Sequence, residues 1–223
     1  MIRYKNLYLI GTSHISKESV EKVNKVITKL KPEIIALELD KDRFNAIITV
    51  NKRKILSLNV LRTLGLKGFL LNLIGSWFER KLGKKAGTEP GSEMKKAIEL
   101  AKLFQSKIYL IDQDIKITLK KFLSSISRTE KIQFLKDLIF GDGLEYDFNL
   151  DKVPSQNKID KLIKNVKKKY PSFYTIVIKE RNEFMAKNLY KVMQSHKEEK
   201  IVCIVGAGHE KSIVGELKSL GKI

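Results

Sequence analysis

Two turns of the same form, Gly11-Thr12-Ser13-His14 and Gly206-Ala207-Gly208-His209, each follow directly on a short apolar run, at residues 7–10 and 201–205. An imidazole changes charge near neutral pH and is the commonest metal-ligating side chain. Two histidines carried in this way can act as ligands, acids or bases. Carboxylates arrive at matching places: Glu38 and Asp40 end the apolar run that starts at Ile34, and Asp112 and Asp114 follow the run 108–111. Two histidines with one carboxylate suffice for an open metal site. Gly11 and Gly206 allow a sharp departure from a strand, and turn amides near a helix start can hold an anion.

Several further residues carry two readings. Glu38 closes an apolar run, where a carboxylate is costly unless paired or coordinated; it is either the partner of Arg43 or a metal ligand or general base. Glu93 stands in the first turn of a helix that Ser92 is expected to cap, so it favours the helix dipole or reaches the site. Glu180-Arg181-Asn182 lies inside a helical stretch; Arg181 can clamp a carboxylate or carbonyl, with Glu180 beside it, or the triplet is plain surface. His196, at a helix end, reads as surface. The lone Cys203 excludes an internal disulfide and a cysteine-based zinc site, and within 201–205 it reads as a small buried hydrophobe. Gly206-Ala207-Gly208 lacks the third glycine of a dinucleotide fingerprint.

The elements that must position these residues follow from periodicity. Residues 7–10 read as a buried strand. Ser16 caps a helix with Val20, Val23, Ile27 and Leu30 at helical spacing, stopped at Lys31-Pro32, and residues 34–39 form a second strand. Strand, helix, strand implies parallel pairing with a right-handed crossover. With 108–111 and 201–205 as further strands, the fold class is α/β: a mostly parallel central sheet flanked by helices, with helical insertions at 56–90 and 115–196, in one domain spanning 1–223. The Leu-rich stretch 58–78 reads as a buried or lid-like insertion, 141–157 as a loop, and 158–170 as an amphipathic helix with Ile159, Leu162, Ile163 and Val166 inward and lysines outward. In an open parallel sheet, ligands bind beyond the carboxyl ends of the strands. The two histidines and the carboxylates are therefore expected on one edge.

The formal net charge is +19, from 44 Lys and Arg against 25 Asp and Glu. A solvated Lys-rich surface, of the kind heat-adapted proteins carry, accounts for this most simply. An anionic membrane surface is the next candidate. Specific nucleic-acid binding is not expected, because no aromatic platform is interleaved with the lysines. The first apolar run is too short for a secretory signal and no apolar stretch has spanning length, so a cytoplasmic, soluble chain is expected.

Read in order, Gly11-Thr12-Ser13-His14, Glu38-x-Asp40-x-x-Arg43, Pro90-Gly91-x-Glu93-Met94, Glu180-Arg181-Asn182-x-x-Met185 and Val205-Gly206-Ala207-Gly208-His209 resemble the TraB/PrgY family of pheromone-shutdown proteins. That family is related to the Tiki metalloproteases and, more remotely, to GumN-like and erythromycin-esterase-like proteins. The resemblance implies a metal-dependent hydrolase of peptidase type. His14 and His209 become metal ligands, Glu38 and Glu93 ligands or base, and Arg43, Arg181 and Glu180 further catalytic groups. A divalent ion, Mn, Co or Zn, suits such donors. The expected partner is a peptide or small acyl substrate. A homodimer, a membrane surface, and membrane helices beyond the end of this chain, which would make it the cytoplasmic domain of a membrane protein, are the other expectations. The alternative is a non-catalytic peptide-pheromone-binding or membrane-associated regulatory module.

Overall fold

The computed structural model describes residues 1–13, 16–49, 91–140 and 155–222. Its centre is a five-stranded sheet: β1 (Ile2–Tyr4), β2 (Leu7–Thr12), β3 (Ile34–Leu37), β4 (Lys107–Leu110) and β5 (Ile201–Gly206), in the spatial order β1-β2-β5-β3-β4. All pairings are parallel except β1 with β2. The short β1 was not foreseen, because three residues of alternating exposure carry too little periodic signal; Lys5, at φ 52°, makes the turn into β2. β3 and β5 are buried along their whole length. A strand covered on both faces has no polar side, hence the unbroken apolar runs.

Two cores lie on the two faces. On one, α1 (Lys17–Leu30) and α3 (Ser92–Phe104) press Val23, Ile27, Met94, Ala97 and Ile98 against Ile10, Ile35 and Ile204. On the other, α8 (Arg181–Ser195) and α9 (Glu210–Leu220) press Met185, Leu189, Ile213 and Leu217 against Leu9, Ala36, Cys203 and Val205. Each such Leu or Ile contributes about 1.5–3 kcal/mol by leaving water. Ser16 caps α1 by accepting the Ser19 amide at 3.1 Å. At α3 the cap position is held by Gly91, at φ 84°, and Ser92 is the first helical residue, one place beyond its expected role.

The chain leaves β2 for α1 on one face and leaves β5 for α9 on the other. The carboxyl ends of β2, β5 and β3 therefore flank the place where the connections diverge, which is where open α/β sheets bind ligands. α2 (Lys41–Ile48) starts at this edge, with Asp40 as its N-cap accepting the Arg43 amide.

Between β4 and β5 come α4 (Ile115–Ser125), α5 (Arg128–Phe140), α6 (Gln156–Lys169), the short α7 (Pro171–Phe173), a π-helical segment (Tyr174–Glu180) and then α8. Buried carboxylates pin this set. Glu130 accepts the Ser127 and Ser172 amides, at 3.2 and 2.7 Å, and Asp137 takes Lys169 and the Tyr170 hydroxyl. The described parts of the expected 115–196 insertion are largely helical. The 56–90 insertion, including the 58–78 stretch, and most of the 141–157 loop lie outside the described residues. Among the described residues, no helix is long and apolar enough to cross a membrane.

Candidate active site

Glu38, one residue past β3, donates its backbone N–H to Ile204 at 3.1 Å and so continues the ladder toward β5. Its side chain is 4% exposed. Oε2 accepts the Gly206 N–H at 2.6 Å, and Oε1 accepts Nη2 of Arg181 at 2.7 Å. A carboxylate left in an apolar sheet would be costly; here an amide and a guanidinium compensate its charge. Oε1 also lies 3.5 Å from Nε2 of His209.

His209 occupies the turn between β5 and α9, donating its backbone N–H to Gly206 at 2.9 Å. Nδ1 of its ring meets Oδ1 of Asn182 at 2.5 Å. With the amide oriented oxygen-first, Nδ1 donates to Asn182, and Nε2 faces the Glu38 carboxylate. Asn182 is buried in the first turn of α8, beside Arg181.

Arg181 joins the strand ends. Its Nε and Nη2 donate to Asp112 Oδ1 and Oδ2 at 3.1 and 2.6 Å, and Nη2 also reaches Glu38. Burial disfavours its charge, but the bonds to Asp112 and the negative charge of Glu38 and Asp112 outweigh burial and hold it protonated well above its ordinary value. Asp112 is shared with Arg43, whose Nη2 contacts Oδ2. Arg43 Nε in turn donates to Asp40 at 2.8 Å. Burial pushes the Asp40 carboxyl up, while the Arg43 amide and guanidinium pull it down further, leaving it below its ordinary value. Asp40, Arg43, Asp112, Arg181, Glu38, His209 and Asn182 thus form one continuous polar chain along the sheet edge.

The glycine of the first turn has a steric reason. A Cβ on Gly11 would stand 2.7 Å from Oε2 of Glu210 and 3.1 Å from Cα of Ala207. The Ala207 N–H donates to the Thr12 carbonyl at 2.8 Å, and Thr12 Oγ1 donates to the Val205 carbonyl at 3.2 Å. These bonds knit the two Gly-x-x-His turns together. His14 itself lies outside the described residues.

Of the other expected site residues, Glu93 is buried in the first turn of α3, 1% exposed. α3 is a crossover helix, so its first turn lies toward the carboxyl ends of the strands. Glu180 is not brought to the cluster. It faces solvent and pairs with Lys121 at 2.9 Å. Among the described residues, no group of three His, Cys, Asp or Glu is arranged to hold a metal. Cys203 is wholly buried and its thiol is pushed up by burial and by the Glu38 charge, which makes it a hydrophobe and not a nucleophile.

His196 departs from its surface reading. Its ring is 16% exposed, between the Tyr109 hydroxyl at 2.8 Å and Glu199 at 2.6 Å, and its carbonyl accepts from Asn6 at 2.8 Å. It closes the opposite end of the sheet. Asp112 and Asn182 are the central residues that received no role from sequence. Asp112 was visible as a strand-end carboxylate. Asn182 had only its place beside Arg181 as a signal, and Glu210, one residue past His209, had none.

The profile of the TraB/PrgY/gumN family matches residues 3–222. An uncharacterized protein of Methanocaldococcus jannaschii is 41% identical over 219 residues, 96% of this chain and 54% of that protein. TraB domain-containing proteins of human and mouse are each 23% identical over 190 residues, covering 80% of this chain and 50% of theirs. The chain spans about half the length of these relatives. On the near-complete profile match and the archaeal relative, the chain belongs to the TraB/PrgY/gumN family.

Proposed function

We propose that the chain is a metal-dependent hydrolase acting on peptide bonds or a related acyl bond at the edge where β2, β5 and β3 end. One observation carries this reading: His209 Nε2 and Glu38 Oε1 face each other at 3.5 Å, each group held from behind, by Asn182 and by Gly206 with Arg181. A ring nitrogen and a carboxylate oxygen at this spacing suit a shared cation. Nitrogen and oxygen donors bound at about 2.0–2.2 Å to one tetrahedral ion stand roughly 3.3–3.6 Å apart. On this reading a divalent ion, Mn, Co or Zn, would be held by His209 and Glu38 together with His14. When bound, such an ion supplies an acidified water and charge for a developing oxyanion.

The rest is the work of the chain. Asn182 fixes the His209 tautomer, as outer partners of metal-bound histidines do. Gly206 and Arg181 hold the Glu38 carboxylate and aim it. Glu93 takes the proton of the attacking water and returns it to the leaving amine. Arg181, with Arg43 behind Asp112, adds positive field where negative charge develops. A module that binds peptide without cleaving it is the second reading. It is favoured by the engagement of both guanidiniums with Asp40, Asp112 and Glu38.

The test is turnover of a quenched-fluorescence peptide library by wild type, Glu38→Gln and His209→Ala, with each ion supplied in turn. At least a hundredfold loss in both variants is expected. Equal turnover in all three would refute the assignment, and binding without turnover in wild type would select the second reading.

A further inference from the structure

The geometry points to a second reactive centre at the opposite end of the sheet: Tyr109, activated by His196 and Glu199, is a nucleophilic hydroxyl for small apolar aryl esters. It stands apart from the Glu38–His209 edge.

The topology brings the three residues together. Tyr109 is the third residue of β4 and packs against the core beneath α8 and α9. α8 starts at Arg181, which is bonded to Asp112 just past β4, and runs back along the sheet. Its end therefore meets β4 lower down, where His196 follows the last helical residue. Glu199 lies three residues on, shortly before β5. Asn6 donates its two side-chain N–H groups to the carbonyls of His196 and Glu199, each at 2.8 Å. These bonds fix the turn, so the ring and the carboxylate are in place before any ligand arrives.

The contacts have the order of an activated nucleophile. The Tyr109 hydroxyl is 2.8 Å from Nε2 of His196, and Nδ1 of the same ring is 2.6 Å from Oε2 of Glu199. A hydroxyl, a base, and a third group that orients the base make a weak nucleophile reactive. Oε2 of Glu199 is buried and receives no aligned hydrogen bond, so its contact with the ring is one of charge. Oε1 faces Lys107 at 3.9 Å. The charge on Oε2 is best compensated when His196 takes a proton, the state that forms as Tyr109 gives one up.

A cavity of about 320 Å³ opens at this pair, lined by Tyr109 and His196 and by Leu110, Ile111, Val192 and Lys191. It is at the small end of ligand sites. Its apolar walls suit a short acyl chain or a single ring, and Lys191 brings positive charge to a developing oxyanion.

The leaving group follows from the nucleophile. Tyrosinate, the base of a phenol with a pKa of about 10, displaces an alkoxide poorly but displaces a phenolate of equal or lower basicity. Oη of Tyr109 attacks the carbonyl carbon while its proton passes to Nε2 of His196. The bond from that carbon to the phenolic oxygen breaks, and Nε2–H protonates the departing oxygen. Water then attacks the acyl-tyrosine and gives its proton to Nε2. The tyrosyl oxygen leaves, recovers the proton from Nε2, and the carboxylic acid is released.

The experiment exposes the full chain to para-nitrophenyl acetate with a metal chelator present, so that the Glu38–His209 edge plays no part. Nitrophenolate release and peptide mass spectrometry are the readouts. Tyr109 is expected to be acetylated roughly a hundredfold faster than the other six of the seven tyrosines. His196→Gln is expected to abolish that preference, and Glu199→Gln and the exposed Lys191→Gln to reduce it, with unchanged circular dichroism. Tyr109→Phe is expected to lose the fast phase of nitrophenolate release. Acetylation of Tyr109 no faster than that of the other tyrosines, or equally fast in His196→Gln, would overturn the inference.

Discussion

Arg181 meets Asp112 at two points, Nε to Oδ1 at 3.1 Å and Nη2 to Oδ2 at 2.6 Å, with the Asp112 side chain wholly out of solvent. This pair holds the first turn of α8 to the end of β4, and through Arg181 it aims Glu38. Removing one partner leaves the other buried with a single charge contact, Glu38 for Arg181 and Arg43 for Asp112, a loss toward the lower end of about 3–5 kcal/mol. Asp112→Ala and Arg181→Met should each lower the unfolding free energy obtained from urea titration by that amount. The double variant should lose less than the sum of the two. Strict additivity in urea unfolding would contradict the coupling.

Acid should loosen the same edge. Asp40 sits below its ordinary value of 3.8: burial alone would raise it, and Arg43 lowers it further. Glu130 likewise sits below 4.5, where burial is outweighed by bonds from Ser172 and Ser127. For a depressed carboxyl the sign is fixed: its contribution is full above the unfolded value and is lost as pH falls through the folded one. Stability should therefore fall progressively below about pH 4.5. Asp40→Asn, which keeps a competent helix cap, should cost stability at pH 7 and little at pH 2. A constant difference between those pH values would argue against the pairing.

Asn182 is expected to act through His209. Asn182→Ala should weaken the binding of an added divalent ion by roughly ten- to a hundredfold while the fold persists. Ion titration followed by calorimetry, with circular dichroism as the control, reads this directly. Unchanged affinity would remove Asn182 from the positioning role.

Two glycines of the twin turns should respond differently. Gly11→Ala drives a Cβ against Glu210 and the Ala207 backbone, and the backbone cannot swing away. A loss of about 1–3 kcal/mol is expected from this overpacking. Gly208→Ala meets only Ile163 Cδ1 at 3.9 Å and should be tolerated. Thermal melts of the two variants compare them.

What was legible in the sequence was what periodicity and strand ends encode. The apolar runs that became β2, β3 and β5 could be buried in few other ways, and their order placed Glu38 and His209 on one edge. The helical stripe of α1 and its Ser16 cap were read for the same reason. The pairings across that edge were not legible. Asp112 with Arg181, and Asn182 with His209, join residues far apart in the chain, and no local pattern encodes which partner a buried polar group takes. Glu180 and Arg181 look alike as neighbours. A helix turns their side chains about 100° apart, so one faces the strand ends and the other Lys121.

The most direct measurement is the ion content of the purified chain after loading with Mn, Co or Zn and removal of excess, by elemental analysis, in wild type and His209→Ala. One bound ion per chain in wild type, lost in the variant while its circular dichroism is unchanged, is the expected result. The same ion content in both proteins, or none in wild type with any of the three metals, would contradict a metal centre at His209 and Glu38.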